Sequence, residues 1–447
     1  MLPRTPWVLA WFPALVATLA PPLIAQRAAT PSVDRQLVAA GVWSVARYND
    51  AYWDDIRANW DSAFAATVTF TGERPTPTDL QFYYRLRRWA GVLNDGQVEL
   101  LPPTALANRI ARPPLELRSI ERRPFIMDYA LNDEMRVARP ERLAEILAVQ
   151  GIPAAEWIRD SVVPRVAAAN DASRWERAVA RMLEGERGTA LQLLLKLPGG
   201  AERGASVTRS VAMTSHWPLE HEPLEADTLP DGAIWIRVYS FADPDVLEQF
   251  DRAIGDAPRE GPRHHGLIVD LREAQATSDG ASRERASALL SRMIDHPFLT
   301  ARRRLPLQRP DSTAAGVRTW MTVPPDTIWP PVQRERIAYT GPVAVLISAR
   351  TSGPAEDFLA AFQAGNRGPV FGEPSAGSTG QTAVFTLPAG WKLRLTVSRD
   401  AFPTGKEFVP AGIAPQYPVE VRVDDVLAGR DAVLDRARDY LSDIARR

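Results

Sequence analysis

The chain has 447 residues, of which 45% are hydrophobic and 24% charged, so it is globular in composition and has enough apolar material for more than one core. The formal net charge of -1 argues against a nucleic-acid-binding protein or a polybasic membrane binder. Cysteine is absent, which excludes disulfides, thiolate metal sites, a cysteine nucleophile and a lipidated cysteine anchor. No metal or other cofactor is indicated. Only five histidines could supply an imidazole base: His216, His221, His264, His265 and His296.

The N-terminus has the pattern of a secretory signal peptide. Arg4 supplies a positive charge, residues 7–19 are almost wholly apolar, and residues 20–25 end in small side chains. We therefore expect residues 1–25 to be removed and the protein to be exported, to the periplasm or the extracellular space. The alternative is an uncleaved anchor, against which the internal prolines and the short apolar run argue. No later segment is long and apolar enough to span a membrane.

Residues 33–105 predict a small helical domain. Apolar residues recur at helical spacing over 33–65, which predicts one long helix, and a proline-containing break follows. The other elements expected in this domain are a helix at 79–93, a turn at 94–96 and a strand at 98–101.

Residues 110–213 change to a strand, helix and hairpin order. This order fits a PDZ-like module, which binds a peptide by adding it as a strand to a sheet edge. The candidate edges are residues 125–129 and 189–197. The elements expected are strands at 115–120, 125–129, 189–197 and 206–213, and helices at 154–169 and 174–183.

Residues 232–445 alternate between strands and helices, which predicts an α/β core with a largely parallel sheet. The strands are expected at 233–239, 266–271, 342–348, 369–372, 382–387 and 392–398, and the helices at 244–254, 281–294, 354–364 and 431–445. Residues 302–331 are rich in proline and are expected to form a long surface insertion.

A resemblance to a known family is carried by the segments 93–97, 266–272, 341–347, 351–359, 372–381, 402–408, 412–415 and 429–434. These segments resemble the tail-specific (C-terminal-processing) serine peptidases, including the tricorn-core-like and interphotoreceptor-retinoid-binding-protein-like branch. The resemblance implies a crotonase/ClpP-like α/β core, a PDZ-like module and an N-terminal helical cap. It also implies a serine endopeptidase that acts on C-terminal or unstructured protein segments.

The nucleophile position departs from the family pattern. The family serine stands three residues before the glutamate that matches Glu356, and that position is Gly353 here. Ser352 lies one residue earlier, which moves a hydroxyl by about 3.8 Å. Ser352 is therefore either a displaced nucleophile, presented by a turn that Gly353 allows to deform, or a cap for the following helix.

The base and the oxyanion turn depart as well. Gln97 occupies the family histidine position, and an amide cannot accept and return a proton near neutral pH. Other family members use a lysine in the loop that here runs through residues 375–379, where there is none. The turn after Arg272 keeps only one glycine and gains Glu273, whose charge is expected to oppose an oxyanion.

Two functions remain open from the sequence. One is an exported serine peptidase with weak or lost activity on protein termini or unfolded segments. The other is a pseudopeptidase that binds peptides or partner proteins without cutting them. A third interpretation, an acyl-thioester ligand in the crotonase-like core, is disfavoured by export. The peptidase-based interpretations require the loop before Glu356 and the Asn94–Gln97 turn to lie together in the fold.

Overall fold

The computed structural model describes residues 31–56, 58–255, 266–275, 278–307, 318–329 and 339–446. The predicted signal peptide, His264 and His265 lie outside these ranges. Among the described residues, every helix is too short or too polar to traverse a bilayer. The helices there are α1 Pro31–Asn49, α2 Trp60–Thr71, α3 Asp79–Ala90, α4 Thr104–Ala107, α5 Asp133–Ala138, α6 Ala154–Trp157, α7 Asp171–Arg181, α8 Val246–Gly255, α9 Gly280–Leu290, α10 Pro354–Ala364, α11 Val423–Leu427 and α12 Ala432–Ala445.

The strands fall into several small sheets and two large ones. Their bounds are β1 Glu99–Leu101, β2 Ile110–Arg112, β3 Leu115–Ile120, β4 Arg123–Tyr129, β5 Glu145–Val149, β6 Ile152–Pro153, β7 Gly185–Glu186, β8 Ala190–Lys196, β9 Glu202–Thr208, β10 Val211–Ala212, β11 Leu224–Thr228, β12 Ile234–Val238, β13 Leu267–Asp270, β14 Phe298–Leu299, β15 Arg302–Leu307, β16 Thr319–Val323, β17 Thr327–Ile328, β18 Val343–Ile347, β19 Val370–Gly372, β20 Thr382–Thr386, β21 Lys392–Thr396, β22 Arg399–Ala401 and β23 Tyr417–Pro418.

The N-terminal unit contains two helices where the apolar pattern predicted one over 33–65. The Asp50 carboxylate accepts a hydrogen bond from the Tyr52 amide at 2.7 Å just after α1, and Asn59 caps α2 by accepting from the Ser62 amide at 2.9 Å. Side chains that bond nearby backbone in this way end one helix and start the next. The hairpin β20–β21, more than 280 residues along the chain, pairs with β1 and packs its Trp391 into the core of this unit.

The middle unit is a sheet in the order β3-β4-β5-β8-β9, with α7 packed against it. The predicted helix at 154–169 is wrong in extent. After α6 the chain passes through a π turn and a 3₁₀ turn that ends at Arg165, because Pro164 has no amide hydrogen for a continuing helix. The predicted peptide-binding edges are also wrong, since β4 and β8 each pair on both sides. The outer strands are β3 and β9.

The α/β core predicted for the C-terminal half is confirmed. The sheet has the order β11-β12-β13-β18-β19-β23, and β12 to β23 are parallel while β11 pairs antiparallel at one edge. Every residue of β18 is buried because helices cover both faces of the sheet. One face packs against α8, α9 and α10, and the other against α12.

The insertion predicted at 302–331 is not simply a surface loop. Its described residues include the hairpin β15–β16, and β15 also pairs with β22. The prolines suggested a loop, but Pro306 lies within β15. The strand tolerates this proline because it pairs with β22 only through Arg302, Arg303 and Arg304, so no hydrogen bond to β22 is needed at residue 306. The carboxyl ends of β13 and β18 meet at one edge of the core sheet, and the loops that leave them build the site described next.

Candidate active site

The loop between β18 and α10 makes a sharp strand-to-helix turn. Gly353 is the residue before the helix, and its φ of 63° and ψ of −127° lie where residues with side chains are strained. Pro354 follows at the first helical position. Because the N-cap is Gly353, which has no side chain, and not Ser352, the interpretation of Ser352 as a helix cap is wrong.

This loop is held against the turn that follows β13. The Ser352 amide donates to the Ala274 carbonyl at 3.0 Å, and the Thr351 hydroxyl donates to the Leu271 carbonyl at 2.9 Å. Thr351 is fully buried, whereas Ser352 is half-buried. Two neighbouring strand ends are therefore joined directly, and Ser352 is left at the surface of a cavity.

A cavity of about 170 Å³ brings Ser352 and Gln97 together. It is bounded by all three units of the chain, and the side chains that the later argument uses are Gln97, Glu176, Arg177, Arg350, Ser352 and Ser378. Gly353 lies directly behind it, with its amide donating to the Ser378 carbonyl at 2.8 Å. The turn at Asn94–Gln97 and the loop before Glu356 thus share one site, as the peptidase-based interpretations require.

The amide of Gln97 is occupied on both sides. Its Nε2 donates to the Gly380 carbonyl at 2.8 Å, and its Oε1 accepts from the Ser278 amide at 2.9 Å. The side chain is buried, with an exposed fraction of 6%. Gln97 therefore joins the N-terminal unit to two loops of the core, and it has no group that could take a proton from Ser352.

The loop at 375–379 is organised by Glu356. The buried Glu356 carboxylate accepts hydrogen bonds from the Gly377 and Ser378 amides, both at 2.7 Å, and from the Ser375 hydroxyl. Burial raises the pKa of Glu356 to about 7, although these hydrogen bonds act in the opposite direction and lower it. The loop is thereby fixed beside Ser352, and within the described residues the Ser378 hydroxyl is buried without a hydrogen-bond partner.

Glu273 does not face the cavity, contrary to the sequence-based expectation. Its carboxylate is buried between Arg118, at 2.8 Å, and Arg350, at 3.1 Å. Two guanidinium groups compensate its charge, so it does not directly oppose an oxyanion beside Ser352. Residues 276 and 277 of the same turn lie outside the described residues.

Glu176 is the carboxylate that lines the cavity. Among the described lining residues none is histidine or lysine. Burial raises the pKa of Glu176 to about 7, and the nearby Arg350 opposes the shift. Its Oε2 is shielded from solvent and has no hydrogen-bond partner within the described residues. Burial also lowers the pKa of Arg177 to about 10, and its guanidinium donates to the Gly96 carbonyl.

The histidines that the structure describes lie elsewhere. His216 is exposed and 3.0 Å from Glu220, His296 is exposed beside Asp295, and His221 stacks on Tyr239 with 4.4 Å between ring centroids. Within the described ranges, no group of three histidine or acidic side chains is arranged to hold a metal ion.

Residues 234–419 match the model of peptidase family S41, and this match covers the strands and loops that build the cavity. Residues 234–419 therefore form a peptidase family S41 domain. The carboxyl-terminal-processing peptidase 2 of Arabidopsis thaliana, a chloroplastic protein, is 32% identical over 83 residues. That match covers 19% of this chain and only 16% of the relative's length. The resemblance to C-terminal-processing peptidases seen in the sequence is confirmed.

Solved structures extend the likeness in fold to nearly the whole chain. Mature CPAF in complex with lactacystin has a TM-score of 0.69 and 14% identity, covering 93% of this chain and 98% of CPAF. Another structure of mature CPAF has a TM-score of 0.68 and 15% identity, covering 93% and 97%. At this identity the likeness concerns the fold alone.

The cavity at Ser352 adjoins a much larger cleft of about 850 Å³ between the middle unit and the core. Its walls come from β3 and α7 on one side and from the segments around residues 418–432 on the other. Glu176, Ala349 and Arg350 line both this cleft and the small cavity with Ser352, so the two spaces are neighbours.

Two residues of the site were missed by sequence reasoning. Sequence reasoning considered Ser378 only as part of a loop that lacks a lysine. Its position directly after Gly377 could have indicated a tight turn at the site. Glu176 lies in the middle unit, and no motif connects it to the core. Its position beside Ser352 arises from packing between segments about 180 residues apart.

Proposed function

We propose that this chain binds peptide or unfolded protein segments in the cleft of its S41 fold, and that hydrolysis at Ser352 is weak or lost. The observation that carries the proposal is the Gln97 amide, whose donor and acceptor are both used by the backbone of the core. A serine hydroxyl needs an adjacent base to become a nucleophile. Gln97 cannot supply that base, and Gly353 carries no hydroxyl at the family position.

Peptide binding is supported by the outer strand β3. Among the described strands it pairs with β4 alone, and its residues Arg118, Ser119 and Ile120 line the large cleft. On the same wall of the cleft, α7 contributes Trp175. An extended peptide could add to β3 through backbone hydrogen bonds and insert apolar side chains beside Trp175.

A fluorophosphonate probe tests the nucleophile. We expect the parent protein to label weakly or not at all, and any labelling to disappear in Ser352→Ala. Ser206→Ala, at an exposed position of β9, is the matched control. Strong labelling at Ser352 together with rapid peptide cleavage would contradict the proposed loss of activity.

Binding is measured separately, by fluorescence anisotropy with an unstructured peptide. Ser119→Asp places a charge at the half-buried strand edge and is expected to weaken peptide binding. The control, Leu194→Asp, changes a partly exposed residue of β8 that does not line the cleft. Failure of any unstructured peptide to bind the parent would refute the binding function.

Restoring the family residues tests whether Gly353 and Gln97 are correctly assigned to the family serine and histidine positions. The double variant Gly353→Ser with Gln97→His is expected to gain measurable peptide hydrolysis, because it supplies a hydroxyl at the strained turn and an imidazole beside it. A folded double variant that binds peptide but does not cleave it would show that the oxyanion turn or the assumed register is wrong.

The finer architecture and the location belong to the same proposal. We infer a PDZ-like module over residues 110–213, a helical domain over 33–105, and a crotonase/ClpP-like core over 232–445. The strand β3 with α7 beside it, and the parallel core sheet, support these assignments.

The apolar segment at 7–19 supports export through a signal peptide at 1–25. Cell fractionation tests the export, and N-terminal sequencing of the recovered protein tests the cleavage of the signal peptide. An intact Met1 on cytoplasmic protein would contradict export.

A further inference from the structure

A second cavity, of about 210 Å³, lies between the N-terminal helical unit and the middle unit. It is remote in the chain from the Ser352 loop, and none of its described lining residues also lines the cavity at Ser352. Four arginines from separate elements line it: Arg87, Arg165, Arg181 and Arg209. Tyr84 and Ser161 add hydroxyl groups to the same lining.

The positive charge in this cavity exceeds the negative charge available to it. Two carboxylates, Glu184 and Glu186, also line it. Glu184 forms an ion pair with Arg87. Glu186 pairs with Arg109, which is not among the described lining residues, at 2.9 Å.

Arg181 pairs with Glu99, which is not among the described lining residues, at 3.4 Å. Arg165 and Arg209 are the two lining arginines that remain. In the described part of the chain, neither has a carboxylate at ion-pair distance. Arg165 lies over the Tyr84 ring, with its guanidinium carbon 4.3 Å from the ring centroid. Burial lowers the pKa of both arginines below the usual guanidinium value, which is consistent with charge held away from water and not neutralised.

The backbone is shaped to hold one of these guanidinium groups. Arg209 Nε donates to the Leu183 carbonyl at 2.8 Å, and its Nη1 donates to the Thr189 hydroxyl at 2.7 Å. A Cβ added to Gly185 would come within 2.5 Å of the Arg209 guanidinium. The glycine therefore lets the planar group lie against the main chain, with its orientation fixed by two hydrogen bonds.

We propose that this cavity binds a small oxyanion carrying two negative charges, a phosphate group or a dicarboxylate. Arginine forks bind such oxyanions by paired charge-assisted hydrogen bonds, and fixed forks lose little entropy in doing so. Burial raises the pKa of Tyr84 to about 12, so its hydroxyl stays protonated and can donate as well. The anion would contact α3 of the N-terminal unit and Arg165 and Arg209 of the middle unit, and would clamp the two together.

The probes are sodium phosphate and sodium malonate, added to the full chain at constant ionic strength and compared with sodium chloride. We expect a saturable rise in the unfolding temperature with at least one of the two dianions and none with chloride. Binding of both supports the oxyanion class, and binding of one alone identifies the geometry that the site prefers. Absence of a response to either dianion would overturn the proposal.

Variants locate the site. Arg165→Ala is expected to weaken dianion affinity about tenfold, and Arg165→Ala with Arg209→Lys to abolish saturable binding. Arg159→Ala is the matched control, because this exposed arginine pairs with Asp160 and does not line the cavity. Gly185→Ala keeps every charge but displaces the Arg209 guanidinium, so it should weaken binding even if the charge variants fold poorly. Equal affinity in the parent and the double variant, or equal losses in Arg159→Ala and Arg165→Ala, would refute the assignment.

Discussion

Replacing Gln97 by alanine should weaken the attachment of the N-terminal unit to the core. The substitution removes the only side-chain partners that the structure records for the Gly380 carbonyl and the Ser278 amide among the described residues. A buried backbone group left without a partner costs about 1–3 kcal/mol. Two such groups would cost about 2–6 kcal/mol, and the neighbouring cavity lets water reach them, so we expect about 2–4 kcal/mol.

Gln97→His should fall between the parent and the alanine variant. One imidazole can satisfy either the carbonyl or the amide, but its ring is too short and rigid to serve both in the geometry of a primary amide. We therefore expect a loss of about 1–2 kcal/mol, roughly half that of alanine. This loss must be considered when the double variant with Gly353→Ser is assayed for hydrolysis.

Urea unfolding followed by tryptophan fluorescence is the assay. Trp60, Trp89 and Trp391 pack together in the core of the N-terminal unit and report its separation from the hairpin β20–β21. Gln192→Ala is the matched control, since the exposed Gln192 side chain bonds, among the described residues, only to the Ser206 hydroxyl at the surface. If Gln97→Ala unfolds within about 0.5 kcal/mol of the parent, its amide does not hold the units together and the reasoning is refuted.

Three further predictions concern the same site. Gly353→Ala should destabilise the core by about 1–3 kcal/mol, because its backbone conformation strains any side chain; an unchanged thermal midpoint would contradict this. Gly96→Ala should push apart the two turns and destabilise the protein to urea, because the new Cβ would clash with the Ser378 Oγ. Adding Ser378→Gly to this variant should restore part of the lost stability. No recovery in the double variant would mean that the two turns do not touch. The raised pKa of Glu176, about 7 against an ordinary 4.5, means that the folded state binds the proton more tightly, so this group stabilises the fold as pH falls from about 7 towards 4.5 and this contribution is lost as pH rises through 7. Glu176→Gln should flatten the dependence of unfolding free energy on pH in that window, and an unaltered slope would contradict the shift.

The apolar pattern was sufficient for the core and insufficient for the segments around it. Residues 343–347 form an uninterrupted apolar run followed by a helix beginning at Pro354, and both were correctly predicted because a buried parallel strand has no polar face. The helix expected over 33–65 failed because Asp50 and Asn59 bond to local backbone, which periodicity does not register. The strand edges failed because edge position depends on pairing between distant segments.

The site shows the same division. Sequence comparison identified Gln97, Ser352 and Gly353 as the residues to examine, and they meet in the fold. It did not indicate that Gln97 bonds to the Gly380 carbonyl, or that Glu273 turns towards Arg118 and away from the cavity. These outcomes depend on the directions of side chains at contacts between loops that are far apart along the chain.

By itself, the order of amino acids determined the α/β class of the core, its relationship to C-terminal-processing peptidases and the chemical identity of the groups available for catalysis. Only the tertiary structure decided what those groups do. An amide became a connector between units, and a serine that could have capped a helix borders a cavity. Two arginines have no carboxylate at ion-pair distance among the described residues. The reason is physical. Residue type limits the bonds a side chain can form, but burial and the neighbours brought by folding decide which of those bonds are made.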